Sequence, residues 1–265
     1  MPAFGNAITL GRMTRSLNLL ALSLVLLCPA TAAAQGLLWQ LPPDGTAATY
    51  GGSYNQVLRR SGTDEQDVEL TFNRELRVRS VGSQQVEFEG QTQPARWIEL
   101  EQTTQPTGAT QRGAGGSIIV KLLVPESFFD GQLVDSRGLP KAAIPVVRGY
   151  EQRDGGAVNE IAPGRYQPFP SVTLLRMPEN LTEQSPGTWT ATEEVESTTS
   201  RTEVQTRLVR DETTPFGIAS WTVQTKDSAK QAANPRDTFV VRSETTGSME
   251  FKSAEDGAVS AIDRE

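Results

Sequence analysis

Val68–Arg79, VELTFNRELRVR, alternates apolar and polar side chains: Val68, Leu70 and Phe72 against Glu69, Thr71 and Asn73, then Leu76 and Val78 against Glu75, Arg77 and Arg79. Successive side chains of a strand point to opposite faces, so this period of two marks a strand with one dry and one wet face. The pattern recurs outward from this stretch. Val86 and Phe88 alternate with Glu87 and Glu89, Ile98 and Leu100 with Trp97, Glu99 and Glu101, and Val204, Thr206 and Leu208 with Glu203, Gln205 and Arg207. Phe239 and Val241 alternate with Val240 and Arg242. Antiparallel sheets tolerate a wet face, whereas parallel sheets are covered on both. Ser117–Val124, SIIVKLLV, is apolar on both faces except at Lys121 and reads as a central or covered strand. Pro125 ends it, since proline cannot donate to a ladder.

Helical signals are scarce. Residues 168–177 (PFPSVTLLRM) predict a short helix, and 140–148 a single turn interrupted by Pro145. Asp-Gly begins at 44, 130, 154 and 256 and Gly-Gly at 51, 115 and 155, all turn signals. The expected fold is mainly β: an antiparallel open half-barrel or sandwich of about 8–10 strands with one or two short helices. Pattern alone does not separate these two from a closed barrel. Residues 102–116 read as a flexible insertion, 125–168 as an irregular excursion over the sheet, 226–237 as a polar link and 253–265 as a flexible acidic tail.

The N-terminus reads as an address. Arg12 and Arg15 precede the apolar run Leu19–Cys28, and Ala32-Ala33-Ala34 offers small residues before Gln35. A basic region, a short apolar core and an A-x-A exit make a cleavable signal peptide over residues 1–34. The run is too short for a membrane span, which needs about 20 apolar residues, so no stable transmembrane anchor is expected after cleavage. A Cys28 lipoprotein signal is the less favoured alternative, because Leu27 stands where such signals carry a small residue. One β-rich domain, 35–252, follows, exported to the periplasm or extracellular space.

Composition excludes much chemistry. The chain of 265 residues has no His and one Cys, and that Cys lies in the leader. Ser-His-Asp catalysis, His-ligated metal and thiol chemistry are therefore absent from the mature chain. Loss of Arg12 and Arg15 takes the net charge from −7 to −9, opposing nucleic-acid binding. No cofactor is expected.

The acidic pairs Glu87/Glu89 and Glu99/Glu101 each share a strand face at roughly 7 Å, a spacing glycosidases use; a solvated face is the favoured explanation. Glu193, Glu194 and Glu196 read as a charged edge in the same way. Arg77 and Arg79 are expected to form a cross-strand ion ladder with Glu87 and Glu89. Asp130, Asp135 and Ser136 before Gly138 form an oxygen-rich turn without the alternate acids and closing Glu of a calcium loop. Asn180-Leu181-Thr182 matches a glycosylation sequon. Trp97 falls opposite Ile98 and Leu100, and Trp221 opposite Ile218 and Ser220. Apolar groups on both faces imply either a second hydrophobic core or a lipid-type pocket.

Thr214–Trp221 (TPFGIASW) carries a resemblance. Pro215 stops one strand, Gly217 permits a turn and Ile218 restarts alternation. This step, with Arg96–Leu100 and Val120–Val124 as a central hairpin, resembles the lipoprotein-localisation (LolA/LolB-like) carrier superfamily. With the turn at 124–127, it also resembles uncharacterised secreted proteins of planctomycete-type bacteria. The resemblance implies an open antiparallel half-barrel whose concave face is covered by helices and binds acyl chains. The resulting expectation is a non-enzymatic envelope protein carrying or sensing a lipidic or apolar ligand, with Trp97, Leu123 and Trp221 as the ligand-binding candidates. The alternative is a structural or interaction module with an envelope protein partner.

Overall fold

The computed structural model describes residues 40–60, 66–107, 115–129, 144–166 and 182–264. The leader, the helix expected at 168–177, the acidic turn at 130–138 and the sequon at Asn180 lie outside these residues. Thirteen strands are described: β1 (Ala47–Leu58), β2 (Val68–Phe88), β3 (Gln91–Pro106), β4 (Gly116–Pro125), β5 (Ile144–Val146), β6 (Arg148–Arg153) and β7 (Asn159–Ile161), then β8 (Gly164–Tyr166), β9 (Thr182–Ser185), β10 (Thr188–Glu196), β11 (Ser200–Arg210), β12 (Ile218–Ala229) and β13 (Val240–Glu255). Eleven form one open antiparallel sheet in the order β7-β6-β4-β3-β2-β1-β13-β12-β11-β10-β9, and β5 pairs with β8 in a small ribbon.

The expected mainly β, open antiparallel architecture is the one observed. There are more strands than expected because β7, β8 and β9 are three or four residues long, too short to display alternation. No α-helix occurs among the described residues; 3-10 turns at Glu126–Phe129 and Arg236–Thr238 take that place.

The first and last of the described strands meet in the middle of the sheet. β1 pairs with β2 on one side and with β13 on the other, from Ala47 opposite Glu255 to Leu58 opposite Ser243. Two meanders, one from each half of the chain, are thus joined along a single seam.

β2 is one strand of 21 residues, although its sequence reads as three alternating pieces. Between Ser80 and Ser83 it takes three steps while β3 takes two, from Ile98 to Arg96. Such a bulge exchanges the faces of all following side chains. Leu76 and Val78 therefore face one side, and Val86 and Phe88 the other. Gly82 occupies the bulge at φ 109°, a conformation that suits glycine.

The continuity of β2 overturns the expected ion ladder. Arg79 and Arg77 stand opposite Glu99 and Glu101 of β3; Glu87 lies further along β2 itself and Glu89 in the turn that follows it. A second register shift brings Ile218 into the same apolar cluster as Trp221, where strict alternation placed them on opposite faces.

Three loop expectations are corrected. β3 runs to Pro106 and β4 starts at Gly116, shortening the insertion at 102–116. β12 runs to Ala229, so ladder bonds hold the start of the polar link at 226–237. The 125–168 excursion contains β6 and β7, which extend the main sheet beside β4.

The acidic tail does not fray. Ser253 to Glu255 belong to β13, and Ile262 is buried. Ala258 N–H donates to Gly45 O at 2.7 Å. Beyond it the chain reaches Glu99 on β3 and Lys121 on β4. The tail is a strap from the last strand onto the N-terminal meander.

One face of the sheet carries the main core. Tyr50, Leu76, Val78, Ile98, Leu100, Val120, Leu122, Leu208, Ile218, Trp221, Val223 and Met249 form one cluster across seven strands, joined by Phe129, Val146 and Phe216 from outside them. Burial of such side chains contributes about 1.5–3 kcal/mol each. On the strap face Val86, Ala95, Trp97 and Leu123 form a second, smaller cluster.

Candidate functional site

The three candidate residues separate onto two faces. Trp97 and Leu123 are cross-strand partners on β3 and β4, 3% and 0% exposed, in the smaller cluster. Tyr150 stacks on Trp97 with ring centroids 6.0 Å apart. Lys121 Nζ lies 4.9 Å from the centre of the Trp97 ring. Trp221 belongs to the main core on the opposite face, 5.2 Å from Tyr50, which in turn meets Phe251 edge-on at 5.9 Å. No single face holds all three. Trp97 has the environment of a second hydrophobic core, one of the two readings its position allowed.

Glu99 and Glu101 are not a solvated pair. Glu99 is completely buried and accepts hydrogen bonds from Arg79 Nη1, from Ser260 Oγ at 2.8 Å, and from the N–H groups of Ala261 and Ile262 at 3.0 and 3.2 Å. Glu101 accepts from Arg79 Nη2. Lys121 Nζ donates to the carbonyls of Ile262 at 3.0 Å and Arg264 at 2.6 Å. Arg77 pairs with Glu255 at the root of the strap. Every oxygen of Glu99 is engaged in holding the strap, which suits structure better than proton transfer. A cavity of about 410 Å³ opens between Arg77, Arg79 and strap residues Glu255 to Ala261. Glu87 and Glu89 are exposed.

The other acidic positions also hold structure. Glu196 joins Arg201 and Arg236, and the Arg236 hydrogen bond is the main cause that holds its carboxyl below the usual range. Asp211 accepts from Thr213 Oγ1 and N–H in the turn before Gly217, and those bonds lower its carboxyl. Among the described residues no group of three or more Asp, Glu, Cys or His side chains is placed to hold a metal, and no helix is long and apolar enough to cross a membrane.

The apolar face holds residues that alternation alone left unexamined. Phe72, Arg74 and Leu76 share one phase of β2, so Arg74 enters the apolar face among aliphatic and aromatic neighbours. Its guanidinium lies 3.8 Å from the centre of the Tyr54 ring, and Tyr54 contacts Phe72 at 6.1 Å. Arg74 Nε and Nη1 are buried with no hydrogen-bond partner. Burial lowers the affinity of this guanidinium for its proton, and the neighbouring Tyr54 offsets part of the effect. Trp221 Nε1 and Thr225 Oγ1 are likewise buried and unpartnered. Arg74 pairs with Gly52, Gly52 with Met249 and Met249 with Trp221, so Arg74 and Trp221 stand in one row across four strands. The signal was legible: Arg74 is the one charge in the dry phase of VELTFNRELRVR.

No family model matches the chain, and no curated protein matches it.

Proposed function

We propose that the protein is an exported, non-enzymatic cell-envelope protein that carries or senses an apolar ligand on the apolar face of its sheet. The observation that carries this reading is the set of buried, unpartnered polar atoms on that face: Arg74 Nε and Nη1, Trp221 Nε1 and Thr225 Oγ1. A core whose role is structural alone satisfies its buried donors, because leaving one unmade costs about 1–3 kcal/mol. An apolar surface interrupted by a few polar groups is instead how small-molecule sites are built. The resemblance to the lipoprotein-carrier superfamily adds support, since it implies an open antiparallel sheet. The leader at 1–34 supports export.

The test is uptake of a neutral apolar probe, N-phenyl-1-naphthylamine, by delipidated protein. Saturable uptake with energy transfer from tryptophan is expected. Trp221→Phe should remove most of that transfer and Trp97→Phe should retain it. Absence of saturable uptake overturns the carrier reading and favours the alternative, a structural or interaction module of an envelope assembly, to be sought by pull-down. Export is checked by fractionation and N-terminal sequencing, with the mature chain beginning near Gln35.

A further inference from the structure

The ligand-binding reading leaves the head group of the ligand open, and Arg74 bears on it. Arg74 is half-buried, with Nε and Nη1 withdrawn from solvent, and donors of a cation held that way without a counter-charge are unfavourable. The face of Tyr54 offsets part of that cost. No carboxylate forms a salt bridge with Arg74 among the described residues, although Arg77, Arg79 and Arg96 all have acidic partners. Arg74 is therefore distinguished by its face as well as by its open donors: its neighbours on β2 with the opposite phase serve the strap, while it lies half-buried beside Tyr54 on the apolar face.

We infer that Arg74, backed by Tyr54, binds the anionic head of an amphiphile whose apolar chain lies along the row toward Trp221. A guanidinium offers two parallel N–H groups to a planar carboxylate or to a phosphate, and in an apolar setting that pairing discriminates strongly against a neutral head. Nε and Nη1 are the atoms left without a partner here, and each belongs to a different fork: Nε pairs side-on with Nη2, and Nη1 pairs end-on with it. The inference rests on the proposed ligand-binding role of this face and adds the class of head group.

The experiment uses the delipidated full-length mature protein and displacement of N-phenyl-1-naphthylamine. Four competitors are compared: palmitate, hexadecyl phosphate, 1-hexadecanol and acetate. At least one of the two anionic amphiphiles should displace the probe at a tenfold lower concentration than 1-hexadecanol, and the better of the two identifies the head as carboxylate or phosphate. Acetate, which has the head without the chain, should not compete. Arg74→Met should bring both anionic competitors to the level of the alcohol without weakening the alcohol itself, and Arg74→Lys should lose part of the preference. A second readout separates binding from structure. Ligand-free Arg74→Met should melt at the same temperature as the parent or higher, because a half-buried cation without an ionic partner is replaced by an apolar side chain. Equal displacement by palmitate, hexadecyl phosphate and 1-hexadecanol, or an unchanged preference in Arg74→Met, overturns the head-group inference while the carrier reading stands. Failure of the neutral probe itself to bind overturns both.

Discussion

Glu99 is buried by a segment more than 160 residues away in the chain, and its four donors come from Arg79 and that segment. Removing one member of a buried ionic cluster strands the others, at a cost of about 3–5 kcal/mol. Glu99→Ala should lower the stability in urea by about that amount, with loss of amide-exchange protection at Ala261 and Ile262 before the strands of the sheet. Unchanged protection there would refute the role assigned to Glu99. Tyr50 gives a second single-residue test. Burial raises its phenol well above the ordinary value of 10.0. Above that value the unfolded chain releases a proton that the folded one retains, so stability falls as pH rises, by about 1.4 kcal/mol per pH unit. Below it the group contributes no slope. Urea titrations on the alkaline side should show this decline in the parent and a smaller one in Tyr50→Phe.

At the level of strands, the seam between β1 and β13 depends on Gly52. A Cβ added there would stand 1.8 Å from Ser248 O and 2.7 Å from its carbonyl carbon, both fixed backbone. At Gly51 the nearest atoms belong to the flexible Lys252 side chain, at 3.2 Å. Gly52→Ala should therefore destabilise the protein severely or abolish soluble expression, and Gly51→Ala should be tolerated; equal behaviour would show that the seam relaxes. Long strands were readable from alternation because one face is dry and the other wet. The bulge at Gly82 was not readable, since one extra residue leaves a local pattern intact on each side and changes only the relation between them. The same stretch, 80–85, lacks alternation and reads as a break between strands, which sets Glu87 and Glu89 on a neighbouring strand although β2 is continuous there. The strap is illegible in sequence for a different reason. Ser260, Ala261 and Ile262 have small or isolated side chains, and the backbone amides that bind Glu99 have no signature in sequence. Arg74, by contrast, stood in plain view as a charge in the dry phase.

For the whole molecule, the sheet is assembled from contacts distant in sequence: β1 and β13 pair across nearly the whole described chain. Loop closure on that scale precedes the reward of pairing, so folding should be slow for the chain's size. The strap reaches beyond the seam, from β13 to Glu99 and Lys121 on the other meander. Truncation after Glu255 should destabilise the protein more than Glu99→Ala, because it also removes the bonds to Gly45 and Lys121 and the buried Ile262. Adding Glu99→Ala to the truncation should cost little more, because the truncation already removes the contacts of Glu99 with the strap. Fully additive losses, measured by urea unfolding, would mean that Glu99 and the strap act independently.

Ala47 and Glu255 face each other at one end of the seam. Tension applied between the start of β1 and the end of β13 would part their hydrogen bonds one pair at a time, like a zip, the weakest way to load two strands. The strap changes the order of events. A pull on residue 264 first meets the bonds to Lys121 and Glu99, several loaded together, and reaches the seam only after they yield. The protein's resistance to stretching is thus set at the anchorage of its tail, and the long central pairing follows once that anchorage is lost.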